Sequence, residues 1–477
     1  MLRRARQHIH QRVANLLENQ FAEVVETQPE LVAHQYTEAK LTEQAIVYWQ
    51  QAGRQARRRS ANSEAISHLI KGLELLSTRS DTPERARLEL DMQMTLGPAL
   101  LATRGYAAPE VERAYCRAQA LCEQMGDTSP RFNVLAGLYL YYLVAGPLQT
   151  AHELALQLLG LARKRADDTA MLQAARLAIG EVAMYRGDFL TACQELELGL
   201  EFSAPHQIPP SPWPGSHPDV QCHFYDAIVL WLLGLPDQAH TRMQQALRRA
   251  RELAHPLTLA LTLSWAARLY IWVGVWGRVR TLVGELVALC TVQSFAHFGA
   301  HGIMLQGWLR VMSDDDASGL TQLRQGLETH RRTGTQCMRP YFLSLLAEAS
   351  GKAGQAEAGY AALDQALSII SQTGEHLWEA ELHRIRGELL LTQTHPPTVN
   401  AQSEAAMACF QKALLIARQQ QAKSLQLRAV MSLSRLWRQQ GRREDTRVIL
   451  APIYHEFTES YLTADLTEAK ALLDDLS

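Results

Sequence analysis

Apolar residues recur along this chain at helical spacing, and small residues recur among them in a fixed phase. In residues 221–250, QCHFYDAIVLWLLGLPDQAHTRMQQALRRA, one apolar run stops at Gly234-Leu235-Pro236-Asp237 and a second begins. Glycine ends a helix because it tolerates positive φ, and proline fits a first helical turn, where its missing N–H costs nothing. Ala227 faces a partner helix. Ala239, Met243 and Ala246 fall at i, i+4 and i+7, which is one helical face. The stretch therefore predicts two antiparallel helices whose backbones approach over small residues.

The hairpin returns along the whole chain. The position of Ala239 is taken in turn by Ala45, Ala65, Val111, Ala151, Ala192, Ala239, Val279, Gly319, Gly359, Ala406 and Thr446. From Val111 onward the steps are 40, 41, 47, 40, 40, 40, 47 and 40 residues. Four residues after each anchor stands an apolar residue, and seven after it eight of eleven are Ala or Gly. A fixed period with small residues in phase is the mark of a repeat array. It resembles the tetratricopeptide (TPR) pattern, lengthened from about 34 to about 40 residues. The expectation is an all-α, TPR-like solenoid, a right-handed superhelix of about eleven hairpins.

The punctuation divides the chain further. Residues 1–28 read as an N-terminal amphipathic helix, with Ile9, Val13, Leu16, Leu17 and Phe21 on one face over 2–26 and no evident partner. It starts almost at Met1 without a cap, as the continuation of a longer polypeptide would; a frayed capping helix is the alternative. Residues 29–202 form a first array, in which a helix over 43–59 serves two successive pairs because Ala45 and Ala65 stand only 20 apart. Arg54 and Arg57-Arg58-Arg59 at its end are read as a solvated face, with an anion site as the alternative. Residues 203–219, SAPHQIPPSPWPGSHPD, exclude a helix through their six prolines, and Trp213 reads as an exposed anchor. Residues 220–371 are the most regular block. Residues 372–477 add further repeats and a capping helix, with a loop at 395–400.

Composition narrows the classes. The 477 residues exceed the usual single-core size of about 250–300, a limit that a solenoid avoids because each repeat packs on its neighbours. With 47 Lys+Arg against 49 Asp+Glu, the balance argues against a dedicated nucleic-acid binder. Seven cysteines without CxxC spacing argue against a disulfide framework and make the cytoplasm the expected compartment. The Phe224–Leu235 run contains Asp226 and is too short to span a bilayer, so no membrane partner is expected.

Catalytic motifs are missing. No GxxxxGK[ST], GxSxG, HExxH or dinucleotide-binding glycine fingerprint occurs, so no catalytic residue and no cofactor is assigned. His297 and His301 stand at i, i+4, a spacing that suits a metal ion, but neither an adjacent acid nor a clear third ligand accompanies them. No metal site is assigned. The acidic turn at 313–316 reads as helix capping rather than a calcium loop.

What remains is a surface. If the first helix of each pair lines a concave face, the groove positions carry Glu181, Tyr185, Phe224, Trp231, Arg268, Trp272, Met304, Trp308, Ser344 and Glu348, with His301 and Tyr341 at the turn entries. Aromatics with a few charges in a curved groove suit a peptide or a small ligand. The competing reading is that an aromatic stripe at helical spacing packs between helices.

Several stretches resemble one bacterial family: LVAHQYTEA, AIVYWQQAGRQARRRSANSEAISHLIKGLELL, RPYFLSLLAEASGKAGQ, HRIRGELLL, CFQKALLIARQQQAKSLQLRAVMSLSRLW and ILAPIYHEFTE. They are similar to the C-terminal TPR region of large predicted ATPases of the STAND class, which in that family often follows a class III adenylate/guanylate cyclase domain. The resemblance covers essentially the whole chain. It implies a regulatory arm with a protein or peptide partner, a STAND ATPase or cyclase module among the candidates. A small-molecule sensor using the central aromatic groove is the second expectation.

Overall fold

A computed structural model describes residues 2–126, 130–165, 167–203, 213–314, 316–392, 399–459 and 463–476. Residues 204–212 of the proline-rich stretch and most of the 395–400 loop lie outside them. Among the described residues there are 24 helices and no strand. The chain is all-α, a TPR-like array of helical hairpins, and it divides into two compact units, Met1–Tyr141 and Tyr142–Ser477.

The first unit holds α1 (Leu2–Gln20), α2 (Ala22–Thr27), α3 (Pro29–Glu38), α4 (Thr42–Arg58), α5 (Asn62–Ser77), α6 (Pro83–Arg104), α7 (Pro109–Met125) and most of α8 (Arg131–Ala145). The single helix expected over 2–26 breaks at Phe21, whose φ of −130° and ψ of 54° are not helical. Nor does α1 lack a partner. Its Glu18 accepts hydrogen bonds from the Tyr36 and Tyr48 hydroxyls, both at 2.5 Å, and its Ala14 is buried among Val32, Tyr36 and Trp49. As the 20-residue step predicts, α4 packs on both α3 and α5. Arg54 pairs with Asp91 at 2.5 Å, and Arg57 donates to the neutral Asn62 amide oxygen at 3.3 Å.

The second unit continues with α9 (Leu148–Arg163), α10 (Thr169–Tyr185), α11 (Phe189–Leu200), α12 (Pro218–Leu232), α13 (Pro236–Leu253) and α14 (Pro256–Val273). Then come α15 (Trp276–Gln293), α16 (Ala296–Asp314), α17 (Ser318–Arg332), α18 (Arg339–Lys352) and α19 (Ala356–Thr373). The chain closes with α20 (Glu379–Leu391), α21 (Val399–Gln419), α22 (Lys423–Gln439), α23 (Arg443–His455) and α24 (Ala464–Asp474).

From α7 onward each small anchor lies in the second helix of its hairpin, and all eleven anchors are buried. Ala239, Val279 and Gly359 are each the fourth residue of α13, α15 and α19; Gly319 is the second of α17. At α16/α17 two glycines meet: a Cβ on Gly307 would come within 2.7 Å of the Gly319 carbonyl oxygen. In the acidic turn read as helix capping, the N-cap of α17 is Ala317, which makes no side-chain cap, while Asp316 before it accepts from Ser318 N–H at 2.9 Å.

Hydrophobicity sorts the helices into layers. Every residue of α12 is buried, and so are all but two of α14, whereas α13 buries one stripe. A helix that is apolar all round belongs inside and an amphipathic one outside. The even-numbered helices α10 to α24 touch one another in succession as an inner layer, and the odd-numbered ones cover them. Among the described residues α14 alone is long and apolar enough to cross a membrane, and 83% of it is buried here as a core helix. The outer helix serves the inner one's charges: Arg249 and Arg242 of α13 pair with Asp219 and Asp226 of α12 at 2.5 and 2.9 Å. A buried carboxylate needs such a partner. Trp213 is 6% exposed, so the indole expected on the surface is buried in this unit.

The inner layer closes on itself. The Tyr185 carbonyl at the end of α10 accepts from His376 and Leu377 N–H, just before α20. In the same way the Val144 carbonyl accepts from Gln336 and Cys337 N–H, just before α18. Ser424 of α22 donates its hydroxyl to the Trp231 carbonyl at 2.5 Å, and Arg428 donates to the Trp272 carbonyl at 2.8 Å. The partner lies five hairpins further along for Tyr185, Val144 and Trp231, and four for Trp272. The last carbonyls of a helix have no partner within it; here the next turn of the superhelix supplies the donors.

Candidate functional site

One complete turn of inner helices, α14, α16, α18, α20 and α22, surrounds a cavity of about 210 Å³, and the start of α24 closes it beside α14. Its walls are aromatic. The Trp272 ring stacks on Trp378 at 4.7 Å and meets Tyr341 edge-on at 5.8 Å. Trp308 lies 5.9 Å from Trp276, which is half-exposed beside it. These rings are placed by helix ends: Trp272 is the penultimate residue of α14, Trp276 the first of α15, and Trp378 the residue that opens α20. Ser344 accepts from the Trp378 indole N–H at 3.1 Å and fixes its rotamer.

Ions cover one side. Glu381, 2% exposed, accepts from Arg384 Nε and Nη2 at 2.9 and 3.0 Å and pairs with Arg428 at 3.5 Å. Two guanidinium groups hold its carboxyl below the usual range against the opposing effect of burial. Arg428 also pairs with Asp465 at 2.8 Å, and Arg435 with Glu468 at 2.5 Å. Glu348 differs. Its nearest cation is Arg384 Nη2 at 3.5 Å, and burial pushes its carboxyl up despite Arg384.

Along the same layer lies a second, buried polar group. Arg268 is 1% exposed, over the ring faces of Trp265 at 4.4 Å and Phe342 at 5.2 Å. It donates to Ser264 Oγ at 2.9 Å and to His301 Nδ1 at 2.8 Å. The structure supplies the third imidazole that the sequence does not reveal: His297, His301 and His330 are buried with ligand nitrogens within 4.8 Å of one another. Burial, and the nearby Arg268 cation, hold all three neutral; His297 is pushed down to about 3. The group is nevertheless a poor cation site. Arginine only donates, so His301 Nδ1 accepts and the ring proton sits on Nε2, the atom that would face a metal. A dication there would also meet the Arg268 charge in a dry interior.

No family model matches the chain. An uncharacterised protein of Rhizobium meliloti (strain 1021) is 23% identical over 440 residues, which are 91% of this chain and 42% of that protein. The chain thus spans less than half the length of the relative it matches. Among solved structures, a Rap protein complexed with Competence and Sporulation Factor is 11% identical over 91% of this chain and 100% of that one, with a TM-score of 0.43. Yeast Tom70 is 12% identical over 98% and 96%, at 0.36. A human IFIT1 dimer with m7Gppp-AAAA is 12% identical over 90% and 89%, at 0.41.

The residues assigned to a groove separate into three groups. Trp272, Trp308, Tyr341, Ser344 and Glu348 line the cavity. Trp231 lies behind it, 5.0 Å from Trp272 and under the Arg428 guanidinium at 5.1 Å. Glu181, Tyr185, Phe224, Arg268, Met304 and His301 are buried in the interior, where Glu181 accepts from the Tyr225 hydroxyl and Tyr185 and Phe224 both stand 6.3 Å from Trp265. Sequence reasoning missed Trp378, Glu381, Arg384, Arg428 and Asp465. One available signal was the phase of Glu381 and Arg384, which share an α20 face with Glu388, one turn on; Arg428 and Asp465 reach the cavity only through the closure of the turn.

Proposed function

We propose that this chain is a non-catalytic helical-repeat arm that binds a small ligand, or one side chain of a peptide, in the cavity enclosed by α14, α16, α18, α20 and α22. The observation that carries the reading is convergence: a half-open cavity whose lining comes from five successive hairpins and the start of α24, all within reach of one ligand. Most of the aromatic stripe is packed away, which favours a compact ligand over an extended peptide lying along a groove. Binding in the turn's axis favours the closed turn, and a ligand shifts a conformational equilibrium only through such differential affinity. In the setting that the sequence resemblance implies, the arm regulates a signalling ATPase or cyclase, in cis or in trans. The Rhizobium relative, more than half of which lies outside the match, supports an arrangement in cis. Seven free thiols support a reducing, cytoplasmic compartment.

The experiment is a fragment screen by thermal shift and tryptophan fluorescence. Ligands of this site raise the midpoint, perturb the emission, and lose both effects in Trp308→Ala. Ligands that bind the variant equally well place the site elsewhere.

A further inference from the structure

We propose that the ligand of this cavity carries a cationic amine or quaternary ammonium group on a small apolar body, with Glu348 as its counter-ion. The inference rests on the cavity reading above and names the ligand's chemistry. Trp272, Trp308, Tyr341 and Trp378 line one space, and aromatic faces carry negative electrostatic potential that attracts organic cations.

The charges around it are unequal in how well they are matched. Arg384 is bound through two nitrogens to Glu381. Arg428 is held by Asp465 and by the Trp272 carbonyl, and Arg435 by Glu468. An incoming anion would find each guanidinium already engaged and three carboxylates beside it. Glu348 has one ion contact, the long 3.5 Å approach of Arg384. The Trp308 indole N–H stands beside its carboxylate without completing a hydrogen bond. A carboxylate lining a cavity with spare acceptor capacity is completed by a donor cation. The volume of about 210 Å³ is below the range of about 300–1,000 Å³ for drug-sized sites, which suits a ligand such as an arylalkylamine.

Four probes of similar size test this by calorimetry and tryptophan fluorescence: phenethylamine, benzyltrimethylammonium, 3-phenylpropan-1-ol and 3-phenylpropionate. The two cations bind at least about tenfold more tightly than the alcohol, and the propionate binds weakest. Glu348→Gln abolishes that advantage while the alcohol still binds; Glu348→Asp retains part of it. Equal binding of alcohol and cations, or tightest binding of the propionate, overturns the charge assignment and leaves the cavity reading standing. If none of the four perturbs the tryptophans or the midpoint of the intact chain, both readings fall.

Discussion

The carbonyl of Tyr185 accepts two backbone hydrogen bonds, from His376 N–H at 2.8 Å and Leu377 N–H at 3.1 Å. One turn of the superhelix thereby caps the helix of another. The amides of Gln336, Cys337, His376 and Leu377 lie in connections between helices, where exchange is ordinarily fast. We expect them to exchange as slowly as helical amides. Fast exchange at all four in a mass-spectrometric or NMR measurement would show that the turns do not close in solution.

Ser424→Ala removes a hydroxyl donor from the Trp231 carbonyl, which keeps the Gly234 N–H at 3.0 Å. The expected loss is about 0.5–1.5 kcal/mol in denaturant unfolding. No change would mean that water takes the place of the hydroxyl and that the closure does not depend on it.

Close backbone approach at the anchors predicts steep intolerance of added atoms. Ala239→Leu and Ala366→Phe each overpack a buried contact, with an expected cost of about 1–3 kcal/mol. Gly319→Ala belongs with them, since a Cβ there would press on the Gly307 carbonyl. Unchanged thermal midpoints would break the assigned register.

Glu375 is 2% exposed, accepts from Met338 N–H at 3.0 Å, and is pushed up from 4.5 to about 8 by burial, against the opposing pull of that N–H and of Arg268. A raised carboxyl binds its proton more tightly folded than unfolded. Its contribution is full below about pH 4.5 and is lost as pH rises toward 8. Glu375→Gln keeps an acceptor for Met338 and removes the ionisation. The variant should gain roughly 1–3 kcal/mol over the parent at pH 8 and little at pH 4.5. A difference independent of pH would place the titration elsewhere.

Trp231 and Trp308 separate packing from binding. Trp231 is 1% exposed behind the cavity, so Trp231→Ala should cost about 3–5 kcal/mol of stability. Trp308→Ala should also lose stability, since its side chain is 4% exposed, but in addition it should abolish the fluorescence response to a cavity ligand, which Trp231→Ala keeps. The reverse pattern in paired unfolding and titration experiments would exchange the two roles.

The hairpins were legible because their causes are local. Ala239, Val279, Gly319 and Gly359 announce close helix pairs by spacing alone. Helix phase assigned Trp272, Trp308 and Glu348 to a concave groove, with Tyr341 at a turn entry, and all four line the cavity. Depth was not legible: the same phase describes Trp231, sealed behind the cavity, and Arg268, whose charge rests on Ser264, His301 and aromatic faces. His330 stands on the second helix of the hairpin whose first carries His297 and His301, and that helix's pattern reads as outer, so its convergence with His301 carries no spacing signature.

By itself the sequence determined the helices, their pairing and the beat of about 40 residues, since each depends on contacts between neighbours. Only the tertiary structure decided that the turn closes, bringing Ser424 to Trp231 and Arg428 to Trp272, and that Trp378 and Asp465 join the cavity. The physical reason is accumulation. Each hairpin rotates slightly on the one before, and small rotations summed over five interfaces determine whether a solenoid stays open or returns onto itself.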